Sequence, residues 1–179
     1  MMDGKGPVLV PSDDIQAKVR ELGERITGDY GTEKLVLVGI LRGAVVFLSD
    51  LMRHLELPCE IDFMEVSSYG SGTESSGVVR ILKDLREDIT GKHVLIIEDI
   101  IDTGLTLSYL RRTLLARKPA SLEICALLNK PSRREVELSV KYLGFDVPDE
   151  FVVGYGIDYA GAYRNLPDIH ALSPEAAEA

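Results

Sequence analysis

The feature that most restricts the fold of this chain is a set of short, branched, nearly unbroken apolar runs, each bounded by turn residues. KLVLVGI at 34–40 is followed by Leu41-Arg42-Gly43 and then by the helical pattern AVVFLSDLMRHLEL at 44–57. KHVLIIED at 92–99 leads into a second helical pattern from about 104 to 117, while CEIDFMEVSS (59–68), SLEICALLN (121–129) and FVVGYGID (151–158) repeat the strand theme. A strand with one wet face alternates apolar and polar residues; runs without that alternation are buried on both faces, as in a parallel sheet covered by helices. Ahead of the first run, Ser12-Asp13-Asp14 reads as a helix start, with Ile15, Val19, Leu22 and Ile26 at helical spacing and a stop at Gly28. The expected fold is therefore α/β: one domain over 1–179, a parallel-sheet core flanked by helices, a small appended hood subregion, and frayed ends at 1–11 and 171–179.

Length and charge narrow the classes of partner. A chain of 179 residues suits one core. Twenty Lys and Arg against twenty-nine Asp and Glu leave a net charge of −9, which argues against a broad basic surface for a nucleic-acid backbone or an acidic membrane. Tryptophan is absent and aromatics are 6%, so stacking platforms for single strands are also disfavoured. The start MMDGKGP has no apolar leader, and no uncharged run approaches the roughly 18 residues of a membrane span, so a cytoplasmic protein is expected. Cys59 and Cys125 lie far apart in apolar segments, as buried small side chains do, and His54, His93 and His170 have no zinc-ligand or triad spacing.

The chemistry concentrates at Val94–Ser108. Four apolar strand residues run straight into Glu98, Asp99 and Asp102, and like charges this close repel unless a cation or a polyol compensates them. The carboxyl end of a parallel strand is also where α/β sheets bind ligands. Thr103, Gly104, Thr106 and Ser108 then open a helix with hydroxyls and free backbone N–H groups, a cup for a phosphate. No Lys of the Walker type follows, so a triphosphate grip is not supported. A phosphate cup beside acids that can receive vicinal hydroxyls describes a sugar phosphate. Between two strand-like segments, 68–77 carries three glycines and no aliphatic anchor, and reads as a mobile lid or as a plain hairpin connection.

The segment Glu98-Asp99-Ile100-Ile101-Asp102-Thr103-Gly104 resembles the phosphoribosyltransferase signature in its hypoxanthine-guanine form, and the resemblance extends from Leu41-Arg42-Gly43 to Tyr163-Arg164. It implies the type I fold and transfer of ribose 5-phosphate from phosphoribosyl pyrophosphate to a 6-oxopurine, with Mg²⁺ as cofactor. Glu98 and Asp99 would then address the ribose hydroxyls and the metal, Thr103, Gly104, Leu105 and Thr106 the 5-phosphate, and Asp102 the proton of the purine's imidazole side. Leu105 stands where the family often has Lys, which leaves its backbone N–H to serve the cup. Arg42 and Gly43 match the pyrophosphate loop, whose preceding peptide can be cis, and Arg164 would also contact pyrophosphate. Lys130 would donate to the exocyclic oxygen, Phe151 stack on the base, Val152 bond its edge through the backbone, and Asp158 help hold the metal. Ser68 and Tyr69 would begin the lid.

Hypoxanthine, guanine and xanthine are not separated by these residues, and other phosphoribosyltransferases remain the nearest alternative. A nucleotide-sensing relative that binds RNA is a different class, opposed by the acidic balance and by Asp102. The family forms dimers or tetramers, so a homo-oligomer is expected.

Overall fold

A computed structural model of the chain describes residues 5–68 and 79–173. Its main sheet is built from β2 (Leu35–Leu41), β3 (Cys59–Ser68), β4 (Val79–Lys83), β5 (His93–Ile101), β6 (Ser121–Asn129) and β7 (Tyr142–Asp146), side by side in the order β4-β3-β2-β5-β6-β7. All neighbouring pairs are parallel except β3 with β4, which closes one edge antiparallel.

Alternate residues of the apolar runs go to opposite faces, and both faces are covered. Leu35, Leu37, Leu95 and Ile97 pack with Ile15, Val19, Leu22 and Ile26 of α1 (Ser12–Tyr30) and with Phe47, Leu48 and Leu51 of α2 (Val45–Met52). Val36, Val38, Val94 and Ile96 pack with Leu107, Leu110 and Leu114 of α3 (Leu105–Leu115). The chain order places the functional rim. From β2 the chain crosses by α2 to β3 on one side, and later resumes with β5 on the other side of β2. The carboxyl ends of β2 and β5 thus flank the point where the winding reverses, the crevice in which open α/β sheets bind ligands.

Several expectations are corrected. The expected frayed ends are partly ordered: β1 (Lys5–Val10) and β9 (Ile169–Leu172) pair antiparallel, because Val10, Ile169, Ala171 and Leu172 are buried between them and the core. FVVGYGID contributes only β8 (Val152–Val153) and joins β9 in this second sheet, ordered β1-β9-β8. Its run is broken by Gly154 and Gly156, with φ of 105° and 98°, values that bend the backbone out of a strand. The first helix passes Gly28 and ends at Gly31, which has φ 60° and donates its N–H to the Thr27 carbonyl at 2.9 Å. The second helix is shorter than 44–57, and β7 was not anticipated from the sequence.

The small sheet is the hood, and it is pinned to the helical layer by a polar knot. Tyr155 is buried and donates its hydroxyl to Asp50 Oδ2 at 2.6 Å, and Gln16 Nε2 donates to the same oxygen at 2.9 Å. Asp168 Oδ1 accepts the Ser12 N–H at 2.7 Å at the start of α1. Burial, then the Asp50 carboxylate, hold the Tyr155 phenol protonated far above its ordinary range. Tyr155→Phe removes this buried donor, and urea unfolding is expected to show a loss of about 1–3 kcal/mol. An unchanged midpoint would show that the hood is held by packing alone.

Candidate functional site

β5 delivers the acids to the crevice. Glu98 and Asp99 occupy its last turns of pleat, Asp102 and Thr103 follow in an irregular turn, and Gly104, with φ 84°, leads into α3. That left-handed conformation favours glycine, and a Cβ there would also crowd Val136 Cγ2 at 3.2 Å and the Arg134 side chain. Thr103 Oγ1 accepts the Leu105 N–H at 3.3 Å, and the first α3 turn presents the donors that no helix can satisfy internally. Thr103, Gly104 and Thr106 therefore line a concave cup together with Glu98, Asp102 and Leu107, and Leu105 does not line it.

The facing loop is locked against the acids. The Leu41–Arg42 peptide is cis, and the Asp99 carboxylate lies where a Gly43 Cβ would stand. On its other side the Gly43 carbonyl occupies the space of a Gly156 Cβ. Arg164 Nη1 donates to the Gly156 carbonyl at 2.6 Å, and its Nη2 pairs with Asp158 Oδ1 at 2.6 Å. The Gly161 N–H donates to Asp158 Oδ2 at 2.8 Å. Arg42 reaches Glu65 only at 3.8 Å, and its side chain, 76% exposed, is free to turn into the crevice. Gly43, Asp99, Gly156, Asp158 and Arg164 are thus one contiguous assembly drawn from β5 and two loops.

Glu98 and Asp99 are half-buried neighbours, and among the described residues neither forms a salt bridge. Burial pushes the Glu98 carboxyl well above the usual range, and the Asp99 charge adds to it. Burial also raises Asp99, although a hydrogen bond with Glu98, the Ile100 N–H at 2.7 Å and the charge of Arg164 pull it partly back. Asp62, in β3 of the same sheet, is the contrast: burial would raise it too, but the N–H groups of Phe63 and Arg86, each at 2.7 Å, hold it below the ordinary range. At the crevice each acid has, among the described residues, a single backbone donor, Ile100 for Asp99 at 2.7 Å and Asp99 for Glu98 at 3.3 Å, too few to offset burial, and a divalent cation or sugar hydroxyls would add to them. Among the described residues no group of three or more His, Cys, Asp or Glu converges on one point. The donor set suits Mg²⁺, which keeps several waters and takes one or two carboxylates together with substrate phosphates.

The base side is organised from β6. Lys130 follows Asn129, is only 7% exposed, and donates its N–H to the Ile101 carbonyl at 2.9 Å. Its ammonium sits 5.8 Å from the centre of the Phe151 ring. Phe151 is 56% exposed, so it is an open apolar face beside a buried cation, and not a core residue. Val152 is buried and registers with Ala171 in the hood sheet. Asp102 accepts from Arg133 Nε at 3.0 Å, a partner that sequence reasoning missed although Arg133 and Arg134 directly follow Lys130-Pro131-Ser132. Of the proposed lid, Ser68 ends β3 in register with Val79, while Tyr69 and the rest of 69–78 lie outside the described residues.

Comparison with known proteins identifies the family of the chain. Residues 11–160 match the family described as the phosphoribosyl transferase domain. The hypoxanthine phosphoribosyltransferase of Salmonella typhimurium is 58% identical over 163 residues, 89% of this chain and 91% of that protein. The hypoxanthine-guanine phosphoribosyltransferase of Mycobacterium bovis is 51% identical over 173 residues, 93% of this chain and 86% of that protein. The crystal structure of a hypoxanthine phosphoribosyltransferase from Staphylococcus aureus superposes with a TM-score of 0.93 at 50% identity, covering 98% of both chains.

The raised acids carry a stability consequence. Because the folded state binds protons at Glu98 and Asp99 more tightly than the unfolded chain does, both withdraw stability as pH rises through their folded range. Glu98→Gln is expected to raise the melting temperature of the ligand-free protein by roughly 2–4 °C at neutral pH. The gain is expected to fade as pH drops below about 4, where glutamate becomes protonated even when unfolded. A lower or unchanged melting temperature at neutral pH would remove the electrostatic conflict.

Proposed function

The chain belongs to the phosphoribosyl transferase family, and from that premise we propose how its residues divide the work. The activity is purine salvage: the 5-phosphoribosyl group passes from phosphoribosyl pyrophosphate to hypoxanthine or guanine, giving IMP or GMP and pyrophosphate. The observation that carries the assignment of residues is the packing of Asp99 on Gly43, which brings an acid pair, a phosphate cup and a glycine loop to one crevice.

The purine nitrogen attacks the anomeric carbon as the bond to pyrophosphate breaks, and positive charge develops on the ribose ring. Backbone N–H groups and hydroxyls of Thr103, Gly104, Leu105 and Thr106 hold the 5-phosphate, which fixes the ring over Glu98 and Asp99. Those acids accept the ribose hydroxyls. Arg42, the Gly43 backbone and Arg164 receive the departing pyrophosphate. Lys130 donates to the 6-oxo group, Phe151 stacks on the base, the Val152 backbone meets its edge, and Asp102 takes the proton from the imidazole nitrogen. Glu98, Asp99 and Asp158 would hold Mg²⁺, which when bound neutralises charge on the leaving pyrophosphate.

The segment opening with Ser68 and Tyr69 is assigned to water exclusion. Support comes from topology: β3 runs parallel to β2, so Ser68 emerges at the same rim as Arg42. Self-association as a dimer or tetramer belongs to the same reading and is measured by sedimentation. No described helix is long and apolar enough to cross a membrane.

Mass-resolved products from phosphoribosyl pyrophosphate, Mg²⁺ and a panel of hypoxanthine, guanine, xanthine and adenine test the substrate. IMP and GMP are expected; dominant XMP or AMP would replace the reading with a xanthine or adenine enzyme. Asp102→Asn is expected to lower turnover by about 10²- to 10⁴-fold while phosphoribosyl pyrophosphate still binds. Near-normal turnover would take Asp102 out of the proton transfer.

A further inference from the structure

Arg133 stands in a short 3₁₀ turn, Pro131–Arg133, and the chain around it is tied twice to the turn that carries Asp102. The Lys130 N–H donates to the Ile101 carbonyl at 2.9 Å, and the Glu135 N–H donates to the Thr103 carbonyl at 3.0 Å. These two backbone bonds bracket Asp102 on both sides, so residues 130–135 form a strap laid along 101–103. From the middle of that strap Arg133 Nε reaches Asp102 Oδ1 at 3.0 Å, and the same Nε lies 3.7 Å from Asp149 Oδ1, two residues before Phe151. Among the described residues no donor reaches Oδ2 of Asp102.

The three side chains are 39%, 47% and 52% exposed, so as an ion pair this contact contributes little to stability. Its geometry is a different matter: a carboxylate otherwise free to rotate at the crevice is held by one oxygen, with the other left open. We propose that Arg133 is a positioning residue for the proton transfer, pinning Oδ1 of Asp102 so that Oδ2 faces the purine nitrogen, with Asp149 aligning the guanidinium from the Phe151 side. The inference rests on the assignment of Asp102 made above.

Steady-state kinetics of Arg133→Gln, Arg133→Lys, Asp102→Asn and the Asp102→Asn/Arg133→Gln double variant test it. Arg133→Gln is expected to lower kcat by about 10- to 100-fold, leaving the phosphoribosyl pyrophosphate KM within about threefold. Arg133→Lys is expected to recover part of that loss, because it keeps the charge without the planar guanidinium. In the Asp102→Asn background the Arg133 change is expected to alter kcat by less than about twofold, the non-additivity of groups that act through one another. Wild-type kcat in Arg133→Gln, or a loss that multiplies fully with that of Asp102→Asn, would overturn the proposal. A fall in the purine KM at unchanged kcat would overturn it as well, marking Arg133 as a competitor for the carboxylate. Asp102→Asn alone tests the assignment of the base, so failure there is distinct from failure of Arg133.

Discussion

The site depends on an acid that cannot move away. Asp99 is fixed by its place in β5, by the Ile100 N–H, and by the Gly43 backbone lying directly against its carboxylate. Glu98 is its neighbour in the same strand, where burial and the Asp99 charge raise its carboxyl well above the usual range, while a hydrogen bond between the two favours the Asp99 charge. In an ordinary protein such a pair would be lost to a neutral substitution at Glu98, since burial opposes both charges and the Asp99 charge opposes that of Glu98. Holding it in a crevice makes sense where a ligand brings hydroxyls or a cation, and the ligand-free fold carries the cost.

That conflict is tolerable because the sheet beneath it is rigid. Both faces of β2 and β5 are sealed by helices, so the two strands fix the separation between the 41–43 loop and the 102–106 cup. The hood adds a third anchor. Gly156 presses on the Gly43 carbonyl and passes Arg164 into the rim, while Tyr155, one residue earlier, ties the same segment to Asp50 on α2. A single stretch of chain therefore sets both the attachment of the hood and the position of the Arg164 guanidinium.

What was legible in the sequence is what depends on local pattern. Unbroken apolar runs at 34–40, 92–99 and 121–129 predict strands buried on both faces, and the cup at 103–106 declares itself by hydroxyls and glycine at a helix start. The strand expected at 151–158 goes elsewhere because Gly154 and Gly156 take positive φ values that a pattern of apolar residues does not reveal. β1 and β9 looked frayed because each is short and finds its partner at the far end of the chain. Arg133 was hidden for the same reason: it meets Asp102 across 31 residues, and nothing in the local run of basic residues marks which of them crosses.

The net charge of −9 takes on a local meaning at this rim. Arg164 is paired with Asp158, Arg133 with Asp102 and Asp149, and Arg42 with Glu65. Two of the three guanidinium groups at this rim are thus already engaged by acids, and Arg42 is held only loosely. The crevice offers donors already oriented by acids, together with N–H groups that carry no formal charge. Under the proposed roles, a phosphate ligand that drew Arg164 from Asp158 would free that carboxylate, so the exchange would conserve charge at the site. A basic patch would bind any polyanion; pairs that must be exchanged favour a ligand able to engage both members.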